Sequence, residues 1–303
     1  MGINPLIALQ TALGALTAVF ITGWASAVLA LRRVGSVEPS PATDARWPTP
    51  FQLAIGAVTN FFDTLGIGAF ATTTALFRFT RMVPDRLIPG TMNTGHALPA
   101  IAQAFIYTTM VQVDVLTLFS MISASVLGAW LGAGVVAKWP KQTIQLGMGA
   151  ALLGAAVLMF MTQMEWFPGG GAALGVRGFP LAIAVGGNFL LGALMTLGIG
   201  LYAPCMILVS LLGMNPTAAF PIMMGSCAFL MPVGSLRFIR ERCYSPRVAL
   251  GLALGGIPAV FLAAFIVVSL PLYAVRWLVI VVVIYTAVTM LKAALSTKGS
   301  TSA

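Results

Sequence analysis

Nine apolar stretches, each longer than 20 residues, dominate this sequence and leave little room for a water-soluble fold. They fall at residues 3–31, 51–80, 87–110, 114–137, 143–163, 180–212, 215–237, 246–270 and 272–295. A helix of about 20 residues crosses the roughly 30 Å of a bilayer's hydrocarbon core. Charged residues make up only 8% of the chain, against about 25% in a typical soluble domain. The sequence therefore predicts an all-α polytopic membrane protein.

The scarcity of reactive side chains excludes most enzyme classes. The chain has 7 acids and 1 histidine, which leaves little for hydrolytic or metal chemistry. Its three cysteines, Cys205, Cys227 and Cys243, have no CxxC spacing. In a membrane protein, a net charge of +9 marks cytoplasmic loops rather than nucleic-acid binding. We expect no enzymatic activity, cofactor, metal or nucleic-acid partner.

An internal repeat divides the chain into two halves. The five residues of Thr64–Gly68 (TLGIG) recur at 196–200, an offset of 132, and Pro84 and Pro89 recur at the same offset. Apolar chains share many chance identities, but five consecutive matches in one register favour a duplication. The predicted units are an N-terminal transmembrane helix with a cytoplasmic linker (1–50), repeat 1 (51–163), a linker (164–179), repeat 2 (180–295) and a cytoplasmic tail (296–303).

Two of the stretches are too long for a simple crossing and are interrupted by glycine. As single helices, 51–80 and 180–212 would be about 45 and 50 Å long. Each contains a Gly-Ile-Gly turn near its middle, and glycine both breaks helices and permits close backbone approach. We expect both to be re-entrant hairpins that reach mid-membrane and return to the same side.

The distribution of positive charge favours the same topology. With the N-terminus outside and all nine stretches crossing, ten of the 16 Lys and Arg residues would face the cytoplasm. With two hairpins and seven crossings, all but Arg177 and Arg276 face it. The C-terminus is then cytoplasmic. Three crossings in each repeat invert the second copy relative to the first, an architecture of secondary transporters.

The two glycine turns mark the predicted binding site, because unwound backbone at membrane depth must be buried in protein or face a cavity. Helix N-termini that begin after the turns carry free N–H groups and partial positive charge, and therefore suit an anion. The predicted substrate-binding residues around the turns are Gly66, Gly68, Thr72, Thr73, Thr74, Gly198, Gly200, Tyr202 and Cys205. The alternative for the threonines is a hydrogen bond to their own helix backbone.

The segments that follow each hairpin add polar residues to this site. Asn93, Thr94, His96 and Ser226 could line the same cavity, and His96 is either a ligand or proton carrier or a structural residue. Asp63 is the one acid predicted at membrane depth, where protonation would allow an anion to bind and so couple transport to protons. The alternative is that Asp63 caps local N–H groups or pairs with an arginine.

At these motifs the chain resembles the sulfite exporter TauE/SafE family, also called the toluene sulfonate uptake permeases. The resemblance lies in the two turns, Leu65–Phe70 and Leu197–Tyr202, and in the later elements Thr94-Gly95 and Ser226-Cys227, and it covers roughly residues 51–295. It implies an inner-membrane carrier for sulfur-containing anions such as sulfite or organosulfonates.

The sequence leaves other functions open. The same helix ends could serve an anion channel, or Asp63 could attract a cation in a carrier of the same fold. The expected partners are a small anionic substrate and the lipid bilayer, with the chain a monomer or a homodimer.

Overall fold

A computed structural model describes residues 5–34, 40–166, 170–198, 200–265 and 273–299. Ile199, in the second predicted turn, lies outside these residues, as do Pro39 of the first linker and residues 300–303 of the predicted tail.

The described chain consists of eleven α-helices. They are α1 (Pro5–Val34), α2 (Pro50–Thr64), α3 (Ala69–Thr80), α4 (Ile88–Met110), α5 (Val115–Val136), α6 (Lys141–Gln163), α7 (Gly178–Met195), α8 (Tyr202–Leu211), α9 (Ala219–Arg240), α10 (Pro246–Phe265) and α11 (Tyr273–Gly299). Six of them, α1, α5, α6, α7, α9 and α10, are long and apolar enough to cross a membrane. The prediction of an all-α polytopic membrane protein is confirmed.

Helix α4 has 23 residues, yet it falls outside that set of six. It carries polar side chains along its length, including Asn93, His96 and Gln103, and all three are buried. The polar side chains of α4 therefore face protein rather than lipid, and the helix lies in the interior of the bundle.

Glycines break the two long apolar stretches where the sequence predicts it. Between α2 and α3, Gly66 and Gly68 each have φ of +89°, and between α7 and α8, Gly198 has φ of +95°. A side chain rarely tolerates this left-handed backbone, so glycine is what allows the chain to reverse at these points.

The first hairpin, α2 with α3, begins and ends at the same end of the bundle. Arg247 lies in the first turn of α10. Its Nε donates a hydrogen bond of 2.9 Å to the carbonyl of Trp47, just before α2. Just after α3, α4 starts beside the same α9–α10 loop, since Ser245 N donates to Thr91 Oγ1 at 2.9 Å. We call this the basic end, formed by residues 40–49, 81–87, 137–140 and 241–247.

The second hairpin, α7 with α8, begins and ends at the opposite end, formed by residues 111–114, 170–177 and 212–215. The strand-like segment before α7 and the loop after α8 are joined by a hydrogen bond of 2.8 Å from Asn215 N to Ala173 O. The same segment meets the end of α4, where Asp114 N donates to Leu174 O at 2.8 Å. Helix α4, about 34 Å long, separates the two ends. The hairpins therefore enter the bundle from opposite ends.

The two halves exchange packing partners in a symmetric pattern. Helix α2 packs on α10 of the other half, and α7 packs on α5; α4 packs against α9, and α6 against α11. Exchanging the halves turns the α2–α10 contact into the α7–α5 contact and leaves the α4–α9 and α6–α11 contacts unchanged. The hairpins are thus clamped by helices of the opposite half.

Glycines allow the close approach at these clamps. A Cβ on Gly56 of α2 would lie 2.6 Å from Leu252 O of α10, and a Cβ on Gly192 of α7 would lie 2.1 Å from Ser125 O of α5. Small residues at such crossings are how membrane helices bring their backbones into contact.

Substituting Gly192 should separate α5 from α7. Gly192→Ala forces its methyl group into the Ser125 carbonyl, and we expect a loss of about 1–3 kcal/mol in stability, the usual cost of overpacking. The matched control is Gly186→Ala on the same helix, where a Cβ meets nothing within 4 Å. Melting in detergent micelles measures both variants, and equal melting temperatures would contradict the packing described for this crossing.

A second prediction concerns the ion pair that ties α7 to the α4–α5 loop. Arg177 donates to both oxygens of Asp114 at 2.5 and 2.6 Å, and this holds the pKa of Asp114 well below its ordinary value of 3.8. A lowered carboxyl pKa stabilises the fold above pH about 4 and the contribution is lost as the pH falls. Arg177→Gln should therefore lower the melting temperature slightly at pH 7, and the difference from wild type should shrink towards pH 3.

The effect is small because both side chains of this pair are partly exposed. Arg33→Gln, at an exposed position near the end of α1, is the control. A difference between wild type and Arg177→Gln that persists unchanged at pH 3 would show that the ion pair is not its source.

Candidate functional site

The two glycine turns meet inside the bundle. Gly68 and Gly200 line one small cavity of about 30 Å³, together with Phe70 and Tyr202, the residues at the start of the two returning helices. A Cβ on Gly200 would lie 4.0 Å from Phe70 Cβ. A volume of this size accommodates about one water molecule. The geometry thus brings the tips of both hairpins to one place, from opposite ends.

The two returning helices differ in the hydrogen-bond partners of the backbone N–H groups in their first turns. At α3, the backbone N–H of Ala69 donates to Asp63 Oδ1 at 2.5 Å, so a carboxylate of the chain already occupies this N-terminus. At α8, no side chain of the described residues, which exclude Ile199 just before this helix, is hydrogen-bonded to the first turn. The partial positive charge of a helix start is therefore offset by a carboxylate at α3, whereas among the described residues no acidic side chain offsets it at α8.

Asp63 is held by residues of both halves. Its Oδ2 accepts from Gln103 Nε2 at 2.9 Å and from the Tyr202 hydroxyl at 3.3 Å. The Tyr202 hydroxyl also donates to Gln103 Oε1 at 2.5 Å, and Gln103 Nε2 donates to Thr64 Oγ1 at 3.0 Å. We call Asp63, Thr64, Gln103 and Tyr202 the carboxylate cluster. Of the two interpretations of Asp63, the capping of local N–H groups is present in this structure.

His96 is fixed by a hydrogen bond at each ring nitrogen. Asn60 turns its amide nitrogen to Gly56 O at 2.7 Å, which leaves its oxygen facing His96 Nδ1 at 3.0 Å. An amide oxygen only accepts, so Nδ1 carries the proton. In the neutral ring, Nε2 then accepts from the Thr73 hydroxyl at 3.0 Å. The ring also packs against Phe70, with centroids 5.8 Å apart, which places it one layer behind the cavity.

The neighbouring threonines use their hydroxyls locally. Thr72 donates to Ala69 O at 2.9 Å, and Thr74 donates to Phe70 O at 2.9 Å. Both are bonds from a threonine to the backbone of its own helix, the alternative to substrate contact. An oxyanion would have to replace them to be bound by Thr72 or Thr74.

Other predicted site residues are buried away from the cavity lining. Ser226 accepts from Asn188 Nδ2 at 3.0 Å, and Cys205 is fully buried. Asn93 donates to Pro89 O at 2.9 Å, while its Oδ1 and the Thr94 hydroxyl have no hydrogen-bond partner in the described part of the chain. Gly66 shapes the first turn, and Gly198 shapes the second beside the side chains of Met92 and Met148.

Three residues that hold the site were not predicted: Asn60, Gln103 and Asn188. Each is a polar, uncharged residue within an otherwise apolar stretch, and each is at most 1% exposed. That pattern could have identified them from the sequence, because a polar side chain at membrane depth requires a hydrogen-bond partner. In the described residues, no three His, Cys, Asp or Glu side chains lie close enough to share a metal ion.

The carboxylate cluster predicts coupling between Gln103 and Tyr202. Tyr202→Phe and Gln103→Leu each remove one side of the same short bond, so the double variant should be less destabilised than the sum of the singles by about 0.5–3 kcal/mol. Thermal unfolding in detergent measures the stability of wild type, the two single variants and the double variant. The control cycle pairs Gln103→Leu with Tyr285→Phe, whose ring is exposed, and there the effects should add. Additivity in the first cycle would contradict the bond.

Comparisons with known proteins do not assign this site to a family. No family model, curated protein or solved structure matches the chain.

Proposed function

We propose that this protein is a secondary transporter of a small anion that works by alternating access. The observation that carries the proposal is the meeting of two broken helices, entered from opposite ends, at one small cavity lined by Gly68 and Gly200. Broken helices of inverted repeats that point at a shared central site are a recurring arrangement for substrate binding in such transporters.

The anion preference rests on the uncapped start of α8. The first turn of α8, with the N–H groups of Tyr202 and Ala203 and the positive end of the dipole, borders the cavity, and no Lys or Arg of the described residues lines it. The resemblance to the TauE/SafE family narrows the proposed substrate to sulfite or an organosulfonate, and family membership is itself part of this proposal.

The size of the cavity supports a conformational cycle. A space for about one water is too small for a sulfonate, so the hairpins must move apart to admit one. Each hairpin is joined to one end of the bundle, and its helices are clamped by the opposite half. Separating one hairpin from the site would open the cavity to one end, and separating the other would open it to the opposite end.

Asp63 offers a route to proton coupling. As a carboxylate it already neutralises the start of α3, and its charge opposes a second anion at the cavity. When one carboxylate oxygen takes up a proton, that opposing charge disappears and an anion can bind beside it. Transport of the anion would then be accompanied by the proton on Asp63.

The orientation follows from the distribution of charge. We infer that the basic end faces the cytoplasm of a cell inner membrane, with the N-terminus outside and the C-terminus inside, because Arg and Lys are retained on that side. The loops at this end contain Arg46, Arg81, Arg86, Lys138 and Arg242.

A second candidate is a cation carrier on the same fold. The observation that favours it is the buried carboxylate of Asp63 beside the turn, which would attract a small cation instead of repelling an anion. An anion channel would use the start of α8 in the same way, and it differs in conducting without a coupled proton.

Flux measurements with purified protein in proteoliposomes separate these functions. We expect uptake of radiolabelled sulfite or sulfonate that a pH gradient accelerates. Asp63→Asn should remove the acceleration and lower coupled uptake by about tenfold or more, as expected for losing a charged hydrogen-bonding group. Asp114→Asn, an acid at the opposite end, is the matched control and should keep the pH response.

Several results would contradict parts of the proposal. An Asp63→Asn variant that responds to the pH gradient as wild type does would exclude this residue as the coupling site. Uptake of a labelled monovalent cation in place of the anion would favour the second candidate. Conductance through single molecules would favour a channel.

A further inference from the structure

A second, larger cavity lies at the basic end, away from the turns. It has a volume of about 650 Å³ and lies between the end of α3, the loop before α4, the start of α6 and the side of α11. The lining residues that matter here are Arg78, Arg81, Arg86, Lys141, Phe79 and Tyr285.

The cavity carries excess positive charge. Arg78 is neutralised, because its Nη1 donates to both oxygens of Asp85 at 2.7 Å. In the described part of the chain, no acid pairs with Arg81, Arg86 or Lys141. Arg81 ends α3 with a left-handed backbone at φ of +50°, which fixes the position from which its side chain extends. Three unpaired cations therefore surround one space.

One wall of the same cavity is aromatic and exposed. The rings of Phe79 on α3 and Tyr285 on α11 stack with centroids 5.4 Å apart and planes 3° apart. Both residues are more than half exposed, at 55% and 56%. Cations beside an exposed aromatic surface, on helices of a membrane protein, match a ligand with an anionic head and an apolar tail.

We propose that this cavity binds the phosphate headgroup of an anionic phospholipid, with the acyl chains lying along Phe79 and Tyr285. Basic pockets between transmembrane helices are known to hold such headgroups. A free phosphate ion would use the cations but would gain nothing from the ring pair. The proposal does not depend on what the protein transports.

The lipid would join the first hairpin to helices outside it. Helix α3 is the returning arm of the first hairpin, whereas α6 and α11 pack on each other outside it. A headgroup held by Arg81 on the α3 side and by Lys141 on α6 bridges the two. Binding therefore holds α3 against these helices.

The test uses the full-length protein purified in detergent and titrated with phosphatidylglycerol or phosphatidylcholine, with bound lipid counted by native mass spectrometry. Wild type should retain phosphatidylglycerol in preference to phosphatidylcholine. The variant Arg81→Gln, Arg86→Gln, Lys141→Gln should lose that preference by at least tenfold. The control variant Arg33→Gln, Arg240→Gln, Arg242→Gln removes the same charge from exposed positions outside the cavity and should bind as wild type does.

A separate arm distinguishes the lipid from a free anion and does not depend on the charge variants folding. Phe79→Ala with Tyr285→Ala should weaken retention of phosphatidylglycerol while the charges stay in place. Competition by millimolar inorganic phosphate against bound lipid should be weak. Equal losses in the two charge variants, or full displacement by inorganic phosphate in both wild type and the ring variant, would overturn the proposal.

Discussion

The fold depends on satisfying unwound backbone inside an apolar environment. Where the two hairpins reverse, the chain leaves its helices and frees polar groups that lipid cannot bind. In the first hairpin Asp63 accepts the Ala69 N–H, and Gln103 and Tyr202 hold the carboxylate in turn. The turns can stay at depth only because both halves surround them. That requirement explains why polar residues collect on α4 and why it lies inside the bundle.

The repeat is symmetric in its backbone and asymmetric in its chemistry. At the repeat offset, Asp63 corresponds to Met195, His96 to Ala228, and Gln103 to Ser235. The first half therefore supplies the charge and the imidazole, while the second supplies an uncapped helix start and the Tyr202 hydroxyl. The two corresponding helix starts therefore differ, with a carboxylate bonded at α3 and no side-chain cap at α8 among the described residues. The proposal that a proton and an anion bind as neighbours rests on this difference.

Sequence reasoning could predict the hairpins because their causes are local. Glycine at Gly66, Gly68 and Gly198 and the length of the apolar stretches are visible along the chain. The partners of Asp63 could not be predicted, since Tyr202 is 139 positions away and its contact with Asp63 depends on how the two hairpins are placed in three dimensions. His96 was a candidate for proton transfer, yet its two bonds to Asn60 and Thr73 follow from the crossing of α2, α3 and α4. The composition of the chain does not predict how helices cross.

The exchange of packing partners between the halves has a consequence for biogenesis. Helix α10, against which α2 packs, emerges from the ribosome almost 200 residues after α2. With 15 residues, α2 is too short to span a bilayer as a stable insertion on its own. Its packing against α10 can form only after the second half has been synthesised. Completion of this protein is therefore a late, concerted event, and a truncated nascent chain would be a substrate for membrane quality control.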